Sequence, residues 1–368
     1  MVTCAFGLEG LVAKELRRLG YEDLNVNNGH IEFESDERAV VSLNLWLRCA
    51  DRVYIKISQF KALDFGQLFD EVRALNWSDF LVYDARFPIR TIAIKESQLH
   101  SKSACQSLIK KAIVESLREG YSVKDIPETG ALYSVRVHNF HDEVSLYLDT
   151  TGESLHKRGY RLEQGEAPIK ETLAAALLMC ARWPRFESQL WDPCCGTGTL
   201  LIEATLLALN RAPGLMRSFV AEQWPLISPE LWEECRQKAK EKERGIGSFR
   251  IQGSDIDQGI LECAQVNIQK AGLEDMIQLK QCAIKDLSRQ ESSGIIVSNP
   301  PYGERLLEQK KISLLYREMG EVFRNQFPRS SYFIITPDER FENLFGQKAK
   351  KNRKLYNGAL KCYLYQYF

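Results

Sequence analysis

The residues that say most about chemistry lie in the C-terminal third of the chain. A short apolar run, Gly294 to Ser298, leads into Asn299, Pro300, Pro301 and Tyr302. The Asn299 side-chain oxygen and the Pro300 carbonyl are both acceptors, so together they can take the two hydrogens of one exocyclic amine. Neither proline has a backbone N–H, so the prolines donate nothing back to that nitrogen. Tyr302 follows with a ring that can stack on the base carrying the amine. An aromatic amine is a poor nucleophile because its lone pair is delocalised into the ring. Acceptors on both hydrogens favour a tetrahedral nitrogen and free the lone pair. The chemistry such a clamp serves is transfer of an electrophilic carbon to the amino group of a nucleobase. Adenine N6 and guanine N2 both qualify.

A second group lies about a hundred residues upstream: Asp192, Pro193, Cys194, Cys195, Gly196, Thr197, Gly198 and Thr199. Gly196 and Gly198 suit a turn from strand to helix whose backbone must approach a ligand closely. The free N–H groups at the start of that helix favour a carboxylate or phosphate. Asp192, at the strand end, can hold an ammonium group. Asp255 is placed after the next strand to accept from ribose hydroxyls, with Asp257 a candidate helix cap. Asp286, after the third strand, can accept from an adenine amino group or can be a turn aspartate. Cys194 and Cys195 read as small packing residues beside the turn.

These loops need a scaffold that brings strand ends to one edge. From about residue 166 the pattern alternates between helix and strand. Helices are expected at 173–180, 200–209, 229–244 and 258–271, and strands at 189–191, 249–254, 277–281, 295–298, 332–336 and 362–366. Such alternation indicates a doubly wound α/β sheet. The last two strands are close in sequence, which predicts an antiparallel hairpin at the sheet edge. Residues 210–248 read as an insertion. Ahead of this domain, residues 1–50 read as a small α+β unit with helices at 7–19 and 37–47 and a strand at 29–34. Residues 51–165 read as a second unit, with strands at 52–60, 87–94, 133–138 and 143–150 and a helix at 101–119. Small α+β units of this kind are common RNA-binding platforms.

At 368 residues the chain can form two or three domains. Its zero formal net charge argues neither for nor against nucleic acid. Locally, Lys348, Lys350, Lys351, Arg353 and Lys354 form a run without an acid, which suits a phosphate backbone or a solvated loop before a strand. No apolar stretch approaches the roughly 18 residues a membrane span needs. The first fifteen residues lack a basic region of the secretory type. Ten scattered cysteines without a CxxC pair read as reduced thiols of a cytoplasmic chain. Five histidines lack ligand-type spacing, so no metal is expected, and His138 and His141 read as flanking a strand turn.

The order of the pieces is more specific than any one of them. A glycine turn after the first strand, acids after the second and third, and Asn-Pro-Pro-Tyr after the fourth is the layout of an S-adenosylmethionine-dependent amino-methyltransferase. Three blocks sharpen this: residues 156–161 with 167–175, residues 192–199, and residues 299–305. On these the chain resembles the bacterial THUMP-domain RNA methyltransferases, and is similar to the large-subunit ribosomal RNA guanine-N2 enzyme. The resemblance covers essentially the whole length and is most specific over 156–305.

The resemblance implies a ferredoxin-like unit with a return segment near 151–165, a THUMP RNA-binding domain, and a Rossmann-like class I methyltransferase domain with a seven-stranded sheet. It implies S-adenosyl-L-methionine as cofactor. Pro168, Lys170, Glu171 and Thr172 would pack over it. Asp192, Gly196 and Gly198 would hold its methionine end, Asp255 its ribose and Asp286 its adenine, with Cys194, Thr197, Ile256 and Asn299 also at the cofactor. Asn299 to Tyr302 would hold the target amine and base. The expected partner is RNA, ribosomal ahead of transfer RNA, with the target base out of its stack. DNA adenine-N6 methylation, and a non-enzymatic ribosome-assembly role, stand as alternatives. Oligomeric state is not legible.

Overall fold

The computed structural model describes residues 1–162, 169–184, 189–288, 293–302 and 306–368. In the N-terminal unit β1 (Val2–Cys4), α1 (Glu9–Arg18), β2 (Asn25–Asn27), β3 (His30–Glu32), α2 (Glu37–Trp46) and β4 (Ala50–Lys61) follow in order. Helix α1 buries Leu11, Val12 and Leu16 along one face. Its Glu15 is buried too, because the carboxylate accepts from the backbone N–H groups of Arg48 and Cys49, at 2.8 and 3.0 Å. Asp36 caps α2 by accepting from Ala39 N–H.

The second unit holds α3 (Phe65–Ala74), β5 (Ile89–Lys95), α4 (Lys102–Tyr121), β6 (Val135–Phe140) and β7 (Glu143–Asp149). Asp64 caps α3 and Ser101 caps α4. His141 and Asp142, both at positive φ, make the two-residue turn between β6 and β7. That places His138 and His141 around a hairpin turn, as expected.

The two N-terminal units share one seven-stranded sheet, in the order β2-β3-β1-β4-β7-β6-β5. Strand β4 is twelve residues long and serves both. Its first part pairs with β1 and the rest pairs with β7, both antiparallel. The boundary expected at 50/51 therefore falls inside a continuous strand. Residues after β7 return to the first unit, where Asn44 bonds to Thr150 and Thr151.

The C-terminal region comprises α5 (Glu171–Cys180), β8 (Gln189–Asp192), α6 (Thr199–Ala208), α7 (Pro229–Glu241), β9 (Arg250–Asp255), α8 (Gln258–Lys270), β10 (Ile277–Gln281), β11 (Gly294–Ser298), α9 (Leu306–Gln326), β12 (Ser331–Thr336), α10 (Phe341–Phe345), β13 (Lys351–Asn357) and β14 (Leu360–Tyr367). Its sheet order is β10-β9-β8-β11-β12-β14-β13. The run from β10 to β12 is parallel, while β14 is antiparallel to both β12 and β13. The fold is a class I methyltransferase, with the seven strands that the resemblance implies. The edge differs from the reading above: β14 is not outermost. Of the basic run, Lys351, Arg353 and Lys354 lie in strand β13, which forms the edge, and Lys348 and Lys350 precede it.

Several contacts fix the sheets relative to each other, and two segments carry many of them. The insertion after α6 docks on the N-terminal units: Gly214 N–H donates to Leu45 O at 2.9 Å, and Trp224 stacks on Tyr133 with centroids 4.5 Å apart. A Cβ at Gly214 would lie 2.6 Å from Asn44 O, so only glycine permits this approach. Residues 158–161 are the second segment. Arg158 and Tyr160 are buried against Glu203 of α6, and Arg161 pairs with Glu171 of α5 at 3.2 Å.

Candidate active site

Five parallel strands deliver their C-terminal ends to one edge of the C-terminal sheet, and a cleft of about 930 Å³ lies there. Its walls come from the turn after β8, the end of β9, the turn after β10, the loop after β11 and one face of α9.

The turn after β8 is held by backbone geometry. Gly196 and Gly198 adopt φ of 52° and 82°, a region L side chains rarely enter. Gly198 N–H donates to Cys195 O at 2.9 Å and Cys195 N–H donates to Ser254 O at 3.0 Å. Those bonds tie the turn to β9. A Cβ at Gly196 meets nothing within 4 Å, so this glycine is needed for its dihedral rather than for space. Space matters instead at Gly253 of β9, where a Cβ would lie 2.3 Å from Leu201 Cδ1 and 3.1 Å from Cys195 Sγ.

Asp192 is buried at the floor of the cleft. Ser298 Oγ donates to its Oδ1 at 2.7 Å and Cys194 N–H donates to the same oxygen at 3.1 Å. Burial nevertheless pushes its carboxyl up to about 7, and nearby Asp255 adds to the rise. Among the described residues no cation lies beside it, so the carboxyl holds its proton more tightly than a solvated one. Asp255 accepts from Gly196 N–H through Oδ2 at 3.0 Å, and from Asp257 N–H through Oδ1 at 3.2 Å. Asp257 caps α8 by accepting from Gly259 and Ile260, which is the capping role weighed for it. Ile256 is 70% exposed on the cleft wall. The thiols of Cys194 and Cys195 are raised well above the usual range, chiefly by burial, so both stay protonated and act in packing.

Opposite stands the loop after β11. Asn299 is half-buried and its side-chain amide makes no hydrogen bond to the described residues. Pro300 is buried. The Pro301 carbonyl is already occupied: Tyr316 OH donates to it at 3.2 Å and also bonds Thr336 Oγ1 at 2.8 Å. The Pro300 carbonyl is left as the clamp's second acceptor. Tyr302 lines both the cleft and a smaller hollow of about 270 Å³ bounded by Ile312, Tyr316 and residues 337–340.

Asp192, Cys194, Gly196, Thr197, Asp255, Ile256 and Asn299 to Tyr302 thus line one cleft, and Gly198 starts the helix beneath it. Four expected residues do not. Glu171 is buried and paired with Arg161, so its carboxylate belongs to the link between α5 and residues 158–161. Lys170 and Thr172 line a different cavity, between α5 and the N-terminal unit, and only the preceding Ile169 reaches the cleft. Asp286 is exposed in a short 3-10 turn, and Cys282 to Lys285 form the wall in its place. Pro168 and residues 303–305 lie outside the described residues. Sequence reasoning missed Ser298 and Tyr316. Ser298 was visible as the polar end of an apolar strand. Tyr316 falls in the 312, 315, 316, 319, 323 spacing of a helix that could have been read.

Residues 158–366 match the RMKL-like methyltransferase domain, residues 1–54 the RlmL ferredoxin-like domain and residues 62–149 the THUMP domain. YpsC of Bacillus subtilis (strain 168), a protein named for RNA methyltransferase activity, is 44% identical over 100% of this chain and 95% of its own length. The ribosomal RNA large subunit methyltransferase K/L of Syntrophotalea carbinolica is 34% identical over 98% of this chain, which spans about half (52%) of that relative. Among solved structures, a predicted N6-adenine-specific DNA methylase from Listeria monocytogenes superposes with a TM-score of 0.93 at 44% identity, covering 100% of this chain and 95% of that one. SMU.472, solved as a complex with SAH, gives 0.93 at 41% identity over 100% and 97% of the two chains. The chain belongs to the RMKL-like methyltransferase family, with an RlmL-type ferredoxin-like unit and a THUMP domain preceding the catalytic domain.

Proposed function

We propose that this protein methylates the exocyclic N2 amine of a guanine in large-subunit ribosomal RNA in the cytoplasm. The observation that carries the reading is the clamp. Asn299 and the Pro300 carbonyl, with no competing partner among the described residues, face a cleft shared with the glycine turn and Asp192. The cofactor is S-adenosyl-L-methionine, whose sulfonium supplies an electrophilic methyl group when bound. This chain fits it. Asp192 offers a buried carboxylate to the ammonium, the first turn of α6, which the glycine turn opens, offers N–H groups to the carboxylate, and Asp255 offers acceptors to the ribose. Ile256 packs on the neighbouring ring, and Asp286, beside the wall at 282–285, remains the candidate for the adenine amine.

Asn299 and Pro300 bind the two amine hydrogens and orient the nitrogen lone pair into the cleft. Tyr302 stacks on the base and fixes its plane. Tyr316 holds the loop through Pro301, so the acceptors are in place before the base arrives. The N-methylated amine formed by transfer carries one proton too many, which leaves to water while the two carbonyl acceptors keep the nitrogen hydrogen-bonded. No metal or covalent enzyme intermediate is required by these groups.

RNA is favoured by the THUMP unit and by the names of YpsC and the K/L relatives. The name of the Listeria neighbour favours the second reading, adenine N6 in DNA. The deciding experiment is incubation with methyl-labelled S-adenosylmethionine and total RNA from a strain lacking the gene, then nucleoside analysis. The expected product is N2-methylguanosine, lost in Asn299→Ala. Label in DNA as N6-methyladenine, with none in RNA, would reverse the order.

A further inference from the structure

Lys170 and Thr172 face a second cavity, of about 510 Å³, with Phe6, Asp51, Lys354 and Tyr356. Its walls come from four distant parts of the chain: the loop after β1, the start of β4, the start of α5, and the β13–β14 hairpin. We propose that this cavity holds one nucleotide of the RNA strand that carries the target base; the inference rests on the RNA reading above.

The lining has the chemistry of a single-strand site. Phe6 is 53% exposed and meets Tyr356 edge to face, with centroids 6.1 Å apart. An exposed ring braced by a second ring is a stacking platform for a base. Lys354 Nζ lies 5.5 Å from the Tyr356 centroid. Neither Lys354 nor Lys170 has a salt-bridge partner among the described residues; Lys170 lies in the field of Asp51, and Lys354 is the charge more open to a phosphate. Asp51 also faces the cavity. Its carboxylate repels a phosphate but accepts from a ribose hydroxyl or a base amine, which favours a whole nucleotide over a bare anion. The volume lies in the range of small-ligand sites, roughly 300–1,000 Å³.

The platform is built before a ligand arrives. Arg353 donates to Gly7 O at 2.9 Å, tying the β1 loop to the edge strand. A Cβ at Gly7 would sit 3.0 Å from Lys354 O, so the two segments are in close contact there. Position argues for a strand rather than a free nucleotide. Ile169 lines the cofactor cleft and the next residue, Lys170, lines this cavity, so the two sites share one segment of chain as a wall. A free nucleotide gains nothing from that adjacency.

The test uses the full-length protein saturated with S-adenosylhomocysteine and a fluorescent single-stranded oligoribonucleotide, read by anisotropy. Phe6→Ala should weaken RNA binding about tenfold, as loss of one stacking partner does. Lys354→Glu should weaken it as well and lower the salt slope by about one. S-adenosylhomocysteine affinity within twofold of wild type shows that the fold is intact. RNA affinity unchanged in both variants, while the wild type binds RNA, would overturn the site alone. Binding of guanosine 5′-monophosphate lost in Phe6→Ala, with RNA affinity untouched, would overturn it in favour of a free nucleotide. A wild type that binds no RNA would remove the RNA reading itself, and this site with it.

Discussion

The two walls of the cleft are built differently. On the β8–β9 side nearly every polar group is engaged by the protein: Ser298 and Cys194 hold Asp192, and Gly196 and Asp257 hold Asp255. On the β11–α9 side the acceptors of Asn299 and Pro300 are left open, and the support comes from one step away, through Tyr316. In the proposed reading the first wall is a preformed cradle for the cofactor and the second an open pair of acceptors for the amine. Binding and turnover should therefore separate by wall when residues are changed.

Asn299→Ala gives the largest separation. It should lower kcat by about 10²–10³-fold, the scale of losing one preorganised transition-state hydrogen bond. Cofactor affinity, measured by titration calorimetry, should stay within a few-fold. Equal loss in both would show that the walls are not independent.

Asp192 comes next. Asp192→Asn should weaken cofactor binding about 10- to 100-fold, as expected for a charge-assisted bond of ~1.5–3 kcal/mol. In the unliganded protein its carboxyl titrates at about 7, above its ordinary 3.8. A cation is bound by the carboxylate form, so cofactor affinity should rise with pH up to about 7 and flatten above it. Stability has the opposite sign. The folded state holds this proton more tightly than the unfolded chain, so the contribution is complete below pH 3.8 and is lost as pH rises through about 7. Cofactor titrations and thermal melts at pH 6 and 8, repeated in Asp192→Asn, check both slopes. A flat wild-type profile would contradict them.

Gly253→Ala probes the packing behind the cradle. Its Cβ would press on Leu201 and Cys195, so denaturant unfolding should show a loss of about 1–3 kcal/mol. Unchanged stability would mean that α6 moves freely off β9. The smallest effect belongs to Tyr316→Phe, which removes the donor to Pro301. At about 0.5–1.5 kcal/mol per hydrogen bond, kcat should fall several-fold with cofactor affinity unchanged.

Legibility divided the loops of both walls from the elements around them. Loops at the C-terminal ends of parallel strands carry their chemistry in contiguous residues, so Asp192 to Thr199, Asp255 to Asp257 and Asn299 to Tyr302 could be read directly. Helix α9 was legible in its spacing yet left unread, and strand β13 was disguised by its lysines, which an exposed edge strand tolerates. The segment at 170–172 misled because adjacency in a motif does not fix the direction of a side chain. Ile169 faces the cofactor cleft, Glu171 turns into a buried ion pair, and Lys170 and Thr172 face another cavity.

By itself the sequence determined the class of the C-terminal fold, the order of the turns at its strand ends and the Asn-Pro-Pro-Tyr loop, because these depend on local residue types and strand–helix alternation. Only the tertiary structure decided how the three units join. Continuity of β4 through both N-terminal units, the docking of Gly214 on Leu45, and the buried Arg158–Glu203 pair all connect residues far apart in the chain. Such contacts have no local signature. They depend on shape and on partners for buried charge, which exist only once the chain has folded.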